Sequence, residues 1–255
     1  MKLLEVRGLS KNYFGLAAVA DFSFEVEAGA VVGLIGSNGS GKSTSIDCIS
    51  GFQRADAGRW FLGGRELTGL APHDIARAGL TRTFQTVRAY EDMTLLENLC
   101  VALQENDGIG WLQALGRGAA LRRADAAAAA RARDLLETVG LAEYAEAPAA
   151  ILSYGQRKLL AIAASMMARP KVVVLDEPVA GVNPTMIRRI EQAIRKLNAE
   201  GVALVVVEHN VDFIMNLCGR VVVLESGAKI ADGPPALIRG DPRVLAAYLG
   251  GAVHG

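Results

Sequence analysis

The chain has 255 residues, of which 51% are hydrophobic and only 5% aromatic. This length is enough for one sizeable core, and the composition predicts an aliphatic α/β interior. Lys plus Arg equals Asp plus Glu at 27 each, which gives no general electrostatic reason to expect a nucleic-acid partner. No apolar stretch approaches the ~20 residues of a membrane-spanning helix. The first residues also lack a signal-peptide pattern, so a cytosolic chain is expected.

The N-terminal part of the chain is predicted to form strands around one helix. Residues 3–7 and 22–26 alternate apolar and polar side chains, as half-buried antiparallel strands do. Residues 30–36 form a continuous apolar run, which favours a strand buried on both faces. A Gly-rich loop follows this run, then a helix from about Gly41 to Ser50 that Gly51 can end. Residues 58–64 predict another antiparallel strand with a tight turn.

The remainder of the chain alternates helices with apolar strands. Residues 108–118 have the composition of a loop, and the Ala-rich segment 119–139 predicts one long helix. Strands are expected at 172–176, 202–207 and 220–225, with helical patterns between them. This alternation is the signal of parallel βαβ units. Cys48, Cys100 and Cys218 have no metal or redox spacing and are expected to be reduced packing residues.

A phosphate-binding loop follows the buried strand at 30–36. Residues 36–43 match G-x-x-x-x-G-K-[ST], in which glycines let backbone N–H groups surround phosphates. Lys42 places a charge on the β- and γ-phosphates, and the Ser43 hydroxyl can ligate Mg²⁺. The predicted nucleotide-binding residues of this loop are Gly36, Ser37, Asn38, Gly39, Ser40, Gly41, Lys42, Ser43 and Thr44.

Two adjacent carboxylates end the apolar strand at 172–176. Asp176 is the expected second partner of Mg²⁺, and Glu177 is placed to polarise an attacking water. Acidic residues also end strands simply because solvent is there, but the phosphate-binding loop favours the functional interpretation. The predicted metal ligands are therefore Ser43 and Asp176, with Glu177 as the catalytic carboxylate.

A second candidate phosphate-binding turn lies at Leu152-Ser153-Tyr154-Gly155-Gln156, where a helix is predicted to begin. The backbone N–H groups and the dipole of a helix N-terminus attract anions. One nucleotide needs only one such helix start. The second turn therefore predicts that two copies of a chain of this kind share each nucleotide.

These motifs, in this order, resemble the ATP-binding cassette (ABC) family over nearly the whole chain. The resemblance implies that Tyr13 stacks on adenine. It further implies that Gln85 senses Mg²⁺ as a third metal-binding residue, takes part in catalysis and faces the membrane partner. It also implies that Ser153, Gly155 and Gln156 form the signature loop and that His209 reaches the γ-phosphate. The expected catalytic residues are Glu177, His209, Lys42 and Gln85.

Several details resemble the branched-chain amino acid importer ATPases, in particular the larger of the two cassette paralogues. Tyr154 replaces the first of two glycines that usually follow the signature serine. Asn183 departs from the aspartate that usually ends the loop after the catalytic carboxylate. The tripeptide Glu208-His209-Asn210 and the ending at 241–250 are similar to that subfamily as well.

The resemblance implies an α/β fold: a P-loop NTPase core with a mostly parallel sheet, an N-terminal antiparallel β subdomain and an inserted helical subdomain. We expect the first part of the nucleotide-binding core at 1–85 and the helical subdomain, ending in the signature loop, at 86–155. The second part of the core is expected at 156–236, with a C-terminal helix and tail at 237–255.

The resemblance further implies an ATP- and Mg²⁺-dependent ATPase that energises a bacterial membrane importer. The expected partners are transmembrane permease subunits, a second cassette (the same chain or a paralogue) and, indirectly, a periplasmic or surface binding protein. No nucleic acid is expected. The chain would be peripheral, on the cytoplasmic face of the inner membrane. Branched-chain amino acids are the first expectation for the cargo, with urea, amides or aromatic acids as alternatives.

Two other functions remain open at this level. One is a soluble ABC-type ATPase that acts on nucleic acid or ribosomes, against which stand the single cassette and the one short helical insertion. The other is a nucleotide-binding interaction protein without turnover, which the presence of both Glu177 and His209 disfavours.

Overall fold

The computed structural model describes residues 2–84, 89–103 and 118–249. The chain forms two compact units, one of Met1–Gln85 with Pro170–Gly255 and the other of Thr86–Arg169. Within the described ranges, no helix has both the length and the apolar composition that crossing a bilayer requires.

The first unit contains an antiparallel sheet with the strand order β2-β1-β4-β5. Its strands are β1 (Lys2–Tyr13), β2 (Leu16–Glu27), β4 (Ala57–Leu62) and β5 (Arg65–Glu66). Both alternating segments of the sequence are antiparallel strands as predicted, and the structure pairs them with each other, for example Leu4 with Val26.

The same unit contains a mostly parallel sheet with the strand order β10-β9-β3-β8-β7-β6. Its strands are β3 (Val31–Gly36), β6 (Leu80–Arg82), β7 (Val172–Asp176), β8 (Ala203–Val207), β9 (Arg220–Glu225) and β10 (Ala228–Gly233). β3, β6, β7, β8 and β9 run parallel, and β10 pairs antiparallel with β9. Every residue of β7 and β8 is buried, as the unbroken apolar runs predict for strands covered on both faces.

The helices of the first unit connect these strands. They are α1 (Lys42–Ile49), α2 (Pro72–Ala78), α6 (Pro184–Ala199), α7 (Val211–Leu217), α8 (Pro235–Arg239) and α9 (Pro242–Leu249). One hydrophobic cluster joins α1 to both sheets, through Ile46 and Ile49 on the helix and Phe22 and Phe24 on β2. The rings of Phe22 and Phe24 stack at 5.1 Å. This packing holds the helix that follows the Gly-rich loop in place.

The second unit is helical in the part that the structure describes. It contains α3 (Leu95–Ala102), α4 (Gly118–Thr138) and α5 (Tyr154–Met166), with short 3₁₀ turns at Ala142–Tyr144 and Ala149–Ile151. Buried leucines on each helix form its interior, among them Leu99, Leu135 and Leu159. The long Ala-rich helix predicted from the sequence is thus confirmed, and the fold class is the predicted one.

Candidate functional site

Three loops that carry predicted site residues leave the same edge of the parallel sheet. β3, β8 and β7 are neighbours and parallel, so the chain leaves each of them in the same direction. Their last residues are Gly36, Val207 and Asp176. Ligands of open α/β sheets bind at the carboxyl ends of the strands. The topology therefore brings together the Gly-rich loop, the paired carboxylates and His209.

The Gly-rich loop at 36–43 is a tight turn that only glycine fits at its last position before the helix. Gly41 has φ of 99°, and a Cβ there would lie 2.4 Å from the backbone oxygen of Ala18. Ser40 O accepts a 3.0 Å hydrogen bond from the N–H of Gly227, which ties the loop to the turn between β9 and β10. Ser37, Asn38 and Gly39 are exposed on the outside of the turn. The loop is thus fixed at its base and open at its tip.

Lys42 is the first residue of α1 and is buried. Its Nζ donates to Gly36 O at 2.7 Å and to Ser37 O at 2.9 Å, which keeps the ammonium group inside the loop. Burial lowers the pKa of Lys42 below its ordinary value, while the negative charges of Glu177 and Asp176 oppose that shift. The next residue, Ser43, is exposed, and Thr44 is half-buried. The loop therefore holds a cation next to two carboxylates.

Asp176 is buried at the end of β7 and is held by two neighbours. Its Oδ2 accepts a 2.8 Å hydrogen bond from the Arg82 guanidinium, and its N–H donates to Thr83 Oγ1 at 3.1 Å. Arg82 also pairs with Asp47 Oδ1 on α1. One carboxylate oxygen of Asp176 is thus anchored by Arg82, and the backbone beside it by Thr83.

Glu177 and His209 meet where the loops after β7 and β8 run side by side. His209 Nδ1 lies 3.9 Å from Glu177 Oε1 and 3.7 Å from Glu208 Oε2. The His209 side chain is 58% exposed, whereas Glu208 is fully buried. Glu177 has φ of 47°, a left-handed conformation that is costly for a residue with a Cβ. Such strain is often kept where a side chain must be aimed at a ligand.

Asn183 has a structural reason for its place at the end of the loop after Glu177. It is the N-cap of α6, and its Oδ1 accepts a 2.9 Å hydrogen bond from the N–H of Met186. Asn and Asp are equally good N-caps. The departure from aspartate therefore leaves the start of this helix capped.

Tyr13 is the last residue of β1 and pairs with Leu16 of β2, directly before the hairpin turn. Its side chain is 39% exposed, and Lys11 Nζ lies 5.3 Å from the centre of the ring. Phe14 and Gly15, which form the turn, have φ of 50° and 86°. A flat ring supported by a cation is thus presented to solvent, as a base-stacking platform requires.

The predicted signature loop lies in the second unit and begins α5. Ser153 is the N-cap: its Oγ accepts from the N–H of Gln156 at 3.4 Å, and its own N–H donates to Gln156 Oε1 at 2.9 Å. This reciprocal capping box pairs the N–H groups of Ser153 and Gln156. Gly155 is buried, whereas Tyr154 is 50% exposed. Tyr154 is therefore compatible with the helix start that the sequence predicted.

Gln85 lies outside the described residues, so its predicted role stays a prediction. The sequence pattern gave no role to Arg82, Thr83 or Glu208. The structure places Arg82 and Thr83 against Asp176, and Glu208 against His209. The available signal was a charged side chain in or directly after a buried strand, since such a group must find a partner.

Magnesium fits the donors of this site. No cluster of three or more His, Cys, Asp or Glu suited to a metal occurs among the described residues. Mg²⁺ does not need one, because it is usually held by one or two protein oxygens together with substrate phosphates and water. Ser43 and Asp176 supply oxygen donors of that kind.

A strand–P-loop–helix unit, with acidic residues at the end of a parallel strand one position removed in the same sheet, defines a P-loop nucleoside triphosphatase. A family model described as ABC transporter matches residues 19–180. A second, described as branched-chain amino acid ATP-binding cassette transporter, matches residues 228–254. The chain therefore belongs to the ABC transporter family, as an ATP-binding subunit and a transport-coupled ATPase.

Curated relatives match the chain almost from end to end. The high-affinity branched-chain amino acid transport ATP-binding protein BraF of Pseudomonas aeruginosa is 42% identical over 251 residues, with 98% of each chain covered. The corresponding protein LivG of Escherichia coli is 38% identical over 251 residues, again with 98% of each covered.

Solved structures give the same result for the fold. A nucleotide-free ATP-binding cassette from an ABC transporter superposes with a TM-score of 0.84 at 32% identity, covering 97% of this chain and 99% of the other. The ADP conformation of an ATP-binding cassette of an ABC transporter also has a TM-score of 0.84, at 31% identity and 98% and 99% coverage. ATP-binding subunits of this family bind ATP, dimerise and work with transmembrane permease components.

Proposed function

We propose that the chain hydrolyses ATP to drive a bacterial importer of branched-chain amino acids from the cytoplasmic face of the inner membrane. The observation that carries the chemistry is the meeting of Glu177 and His209, 3.9 Å apart, at the sheet edge that also bears the P-loop. Support for the cargo comes from the names of the relatives and from the match at 228–254. These relatives favour an importer over an ATPase acting on nucleic acid or ribosomes.

The P-loop binds the triphosphate in this proposal. Backbone N–H groups of residues 36–44 receive the β- and γ-phosphates, and Lys42 supplies a fixed positive charge. Tyr13 stacks on the adenine. Ser43, Asp176 and Gln85 would hold Mg²⁺, which would neutralise part of the charge of the phosphates.

Glu177 and His209 perform the hydrolytic step. Glu177 accepts a proton from the attacking water or orients it, and its fixed backbone limits the directions its carboxylate can take. His209 donates a hydrogen bond to the γ-phosphoryl oxygens as they gain charge. Both side chains act from short loops anchored on buried strands, so little reorganisation is needed during the reaction.

A second cassette completes the site. Ser153, Gly155 and Gln156 of that cassette close over the γ-phosphate, with N–H groups of its helix start as donors. Phosphate release then removes the bridge and lets the cassettes separate. Gln85 and the helical unit transmit this cycle to the permease subunits, and a periplasmic or surface binding protein delivers the cargo. The second cassette is either a second copy of this chain or a paralogue.

Uptake in cells tests the transport function. Deletion of the gene should abolish uptake of labelled leucine, isoleucine and valine, and the wild-type gene should restore it whereas Glu177→Gln should not. Competition by unlabelled urea, amides or aromatic acids would instead point to a different cargo. Unchanged uptake of all labelled solutes after deletion would refute the transport proposal.

Mixing two inactive variants tests the shared nucleotide site. Lys42→Ala removes the P-loop charge, and Ser153→Arg blocks the signature loop without touching the P-loop. Each variant alone should be inactive, while Ser153→Arg should still bind ATP as a monomer. If two copies of this chain share the nucleotide, the mixture regains ATPase activity because one of its two sites receives both wild-type halves. Loss of ATP binding by Ser153→Arg itself would argue for a site within one chain.

A further inference from the structure

Glu208 is a buried carboxylate that joins the two loops carrying Glu177 and His209. It directly follows β8, and none of its surface is exposed. Its Oε1 accepts a 2.9 Å hydrogen bond from the N–H of Val179, in the loop after β7. Its Oε2 accepts from the N–H groups of His209 at 3.1 Å and Asn210 at 3.3 Å. One side chain therefore satisfies three backbone donors on two separate loops.

A charged group in this place has a substantial desolvation cost, which hydrogen bonds from backbone donors offset. The three N–H donors bond both oxygens of the carboxylate. A side-chain amide or hydroxyl has only one acceptor oxygen and could not serve both loops. Val179, which Glu208 contacts in the first loop, lies two residues after Glu177. In the second loop Glu208 contacts the backbone N–H of His209 itself. The spacing of the two loops thus depends on the size and the two acceptor oxygens of Glu208.

We infer that Glu208 is a positioning residue for hydrolysis, which sets the location of Glu177 relative to His209 through the backbones of their two loops. This inference rests on the proposed ATP hydrolysis by Glu177 and His209. Glu208 does not touch the substrate, since it is fully buried beneath the loops. Its effect is expected in turnover rather than in nucleotide binding, because the P-loop lies on a different strand.

Glu208→Gln tests this inference with almost no change in volume. The glutamine oxygen can accept from Val179 or from the His209 side, but its NH₂ group then faces a donor on the other loop. We expect kcat for ATP hydrolysis to fall about 100-fold, as a displacement of about 1 Å can produce. KM for ATP should stay within about twofold, because uniform substrate binding is not removed. Glu208→Asp keeps the charge but reaches only one loop, so it should show a loss of kcat of similar size with the same KM.

A double-mutant comparison separates positioning from general destabilisation. In a His209→Ala background, Glu208→Gln should lower the residual kcat by only about threefold, since residues that act as a unit are not additive. Val26→Ala, a truncation in the buried face of the antiparallel sheet, is the matched control and should lower the melting temperature while leaving kcat within about twofold.

Three results would overturn the inference. They are a wild-type kcat in Glu208→Gln, a rise in KM that accounts for the whole loss, and a full 100-fold further loss in the His209→Ala background. If Glu208→Gln does not fold, the same criteria apply to Glu208→Asp. The underlying proposal of ATP hydrolysis fails by different results. These are no phosphate release from Mg-ATP by wild type, or a wild-type rate in Glu177→Gln.

Discussion

Replacement of Arg82 by methionine should destabilise the first unit strongly. Arg82 joins Asp176 on β7 to Asp47 on α1, and its side chain is 8% exposed. Methionine keeps much of the apolar volume but leaves Asp176, 9% exposed, without its cation. Removal of one partner from a buried ion pair typically costs about 3–5 kcal/mol, because the other charge stays buried and unpaired.

The lower end of that range applies to Arg82→Met. Asp47 is 39% exposed, so solvent takes over part of the role of the guanidinium at that carboxylate. We therefore expect a loss of about 3 kcal/mol in the free energy of unfolding. For a chain of this size the melting temperature should fall by about 6–12 °C.

Urea unfolding followed by circular dichroism measures this loss, with Arg59→Met as the matched control. Arg59 also forms a paired contact to a carboxylate, Glu66, but the two side chains are 64% and 39% exposed. Exposed ion pairs contribute little, so the control should unfold at the wild-type midpoint. If Arg82→Met and Arg59→Met have the same midpoint, the argument from burial is wrong.

Three further predictions concern the P-loop, a buried thiol and the signature helix. Gly41→Ala should abolish ATP binding, because its Cβ would lie 2.4 Å from a backbone oxygen. Gly39→Ala has open space around its Cβ and should still bind ATP, with a small loss of stability. Titration calorimetry with ATP compares the two variants. Burial raises the pKa of Cys218 from 9.0 to about 12, so only the unfolded state loses this proton as the pH passes 9. The free energy of unfolding should therefore fall between about pH 9 and 12, by about 1.4 kcal/mol per pH unit from this group, and Cys218→Ala should remove that part of the slope in urea titrations. Ser153→Ala and Thr94→Ala each remove a capping box, and each should lower the free energy of unfolding by about 1 kcal/mol. Only Ser153→Ala should also reduce ATP turnover. Equal turnover in the two variants would contradict a role of Ser153 at the nucleotide.

The main elements of the fold could be predicted because their signals are local. The apolar runs of β3, β7 and β8 and the Gly-rich loop before α1 each lie within one short segment. β6 was not anticipated, since it has three residues and exists through its pairing with β7. β10 was also missed, because only one of its six residues is buried and it lies at the edge of the sheet.

The site was predicted as a set of ligand-facing residues, but its support was not. Arg82 and Asp176 are 94 positions apart, and Glu208 meets Val179 across 29 positions. Neither contact leaves a periodic pattern in the sequence, because each depends on which strands are neighbours in the sheet. The role of Asn183 as a helix cap is local, by contrast, and its position directly before Pro184 is the signal for it.

The rate of phosphate release from Mg-ATP by purified Glu177→Gln, measured beside wild type, tests the central claim most directly. Glutamine keeps the size of the side chain but cannot accept the proton of the attacking water. The account predicts steady release by wild type and a loss of about 10²–10⁴-fold in the variant, together with an accumulated ATP-bound dimer. Release by Glu177→Gln at the wild-type rate, with no ATP-bound dimer, would contradict it.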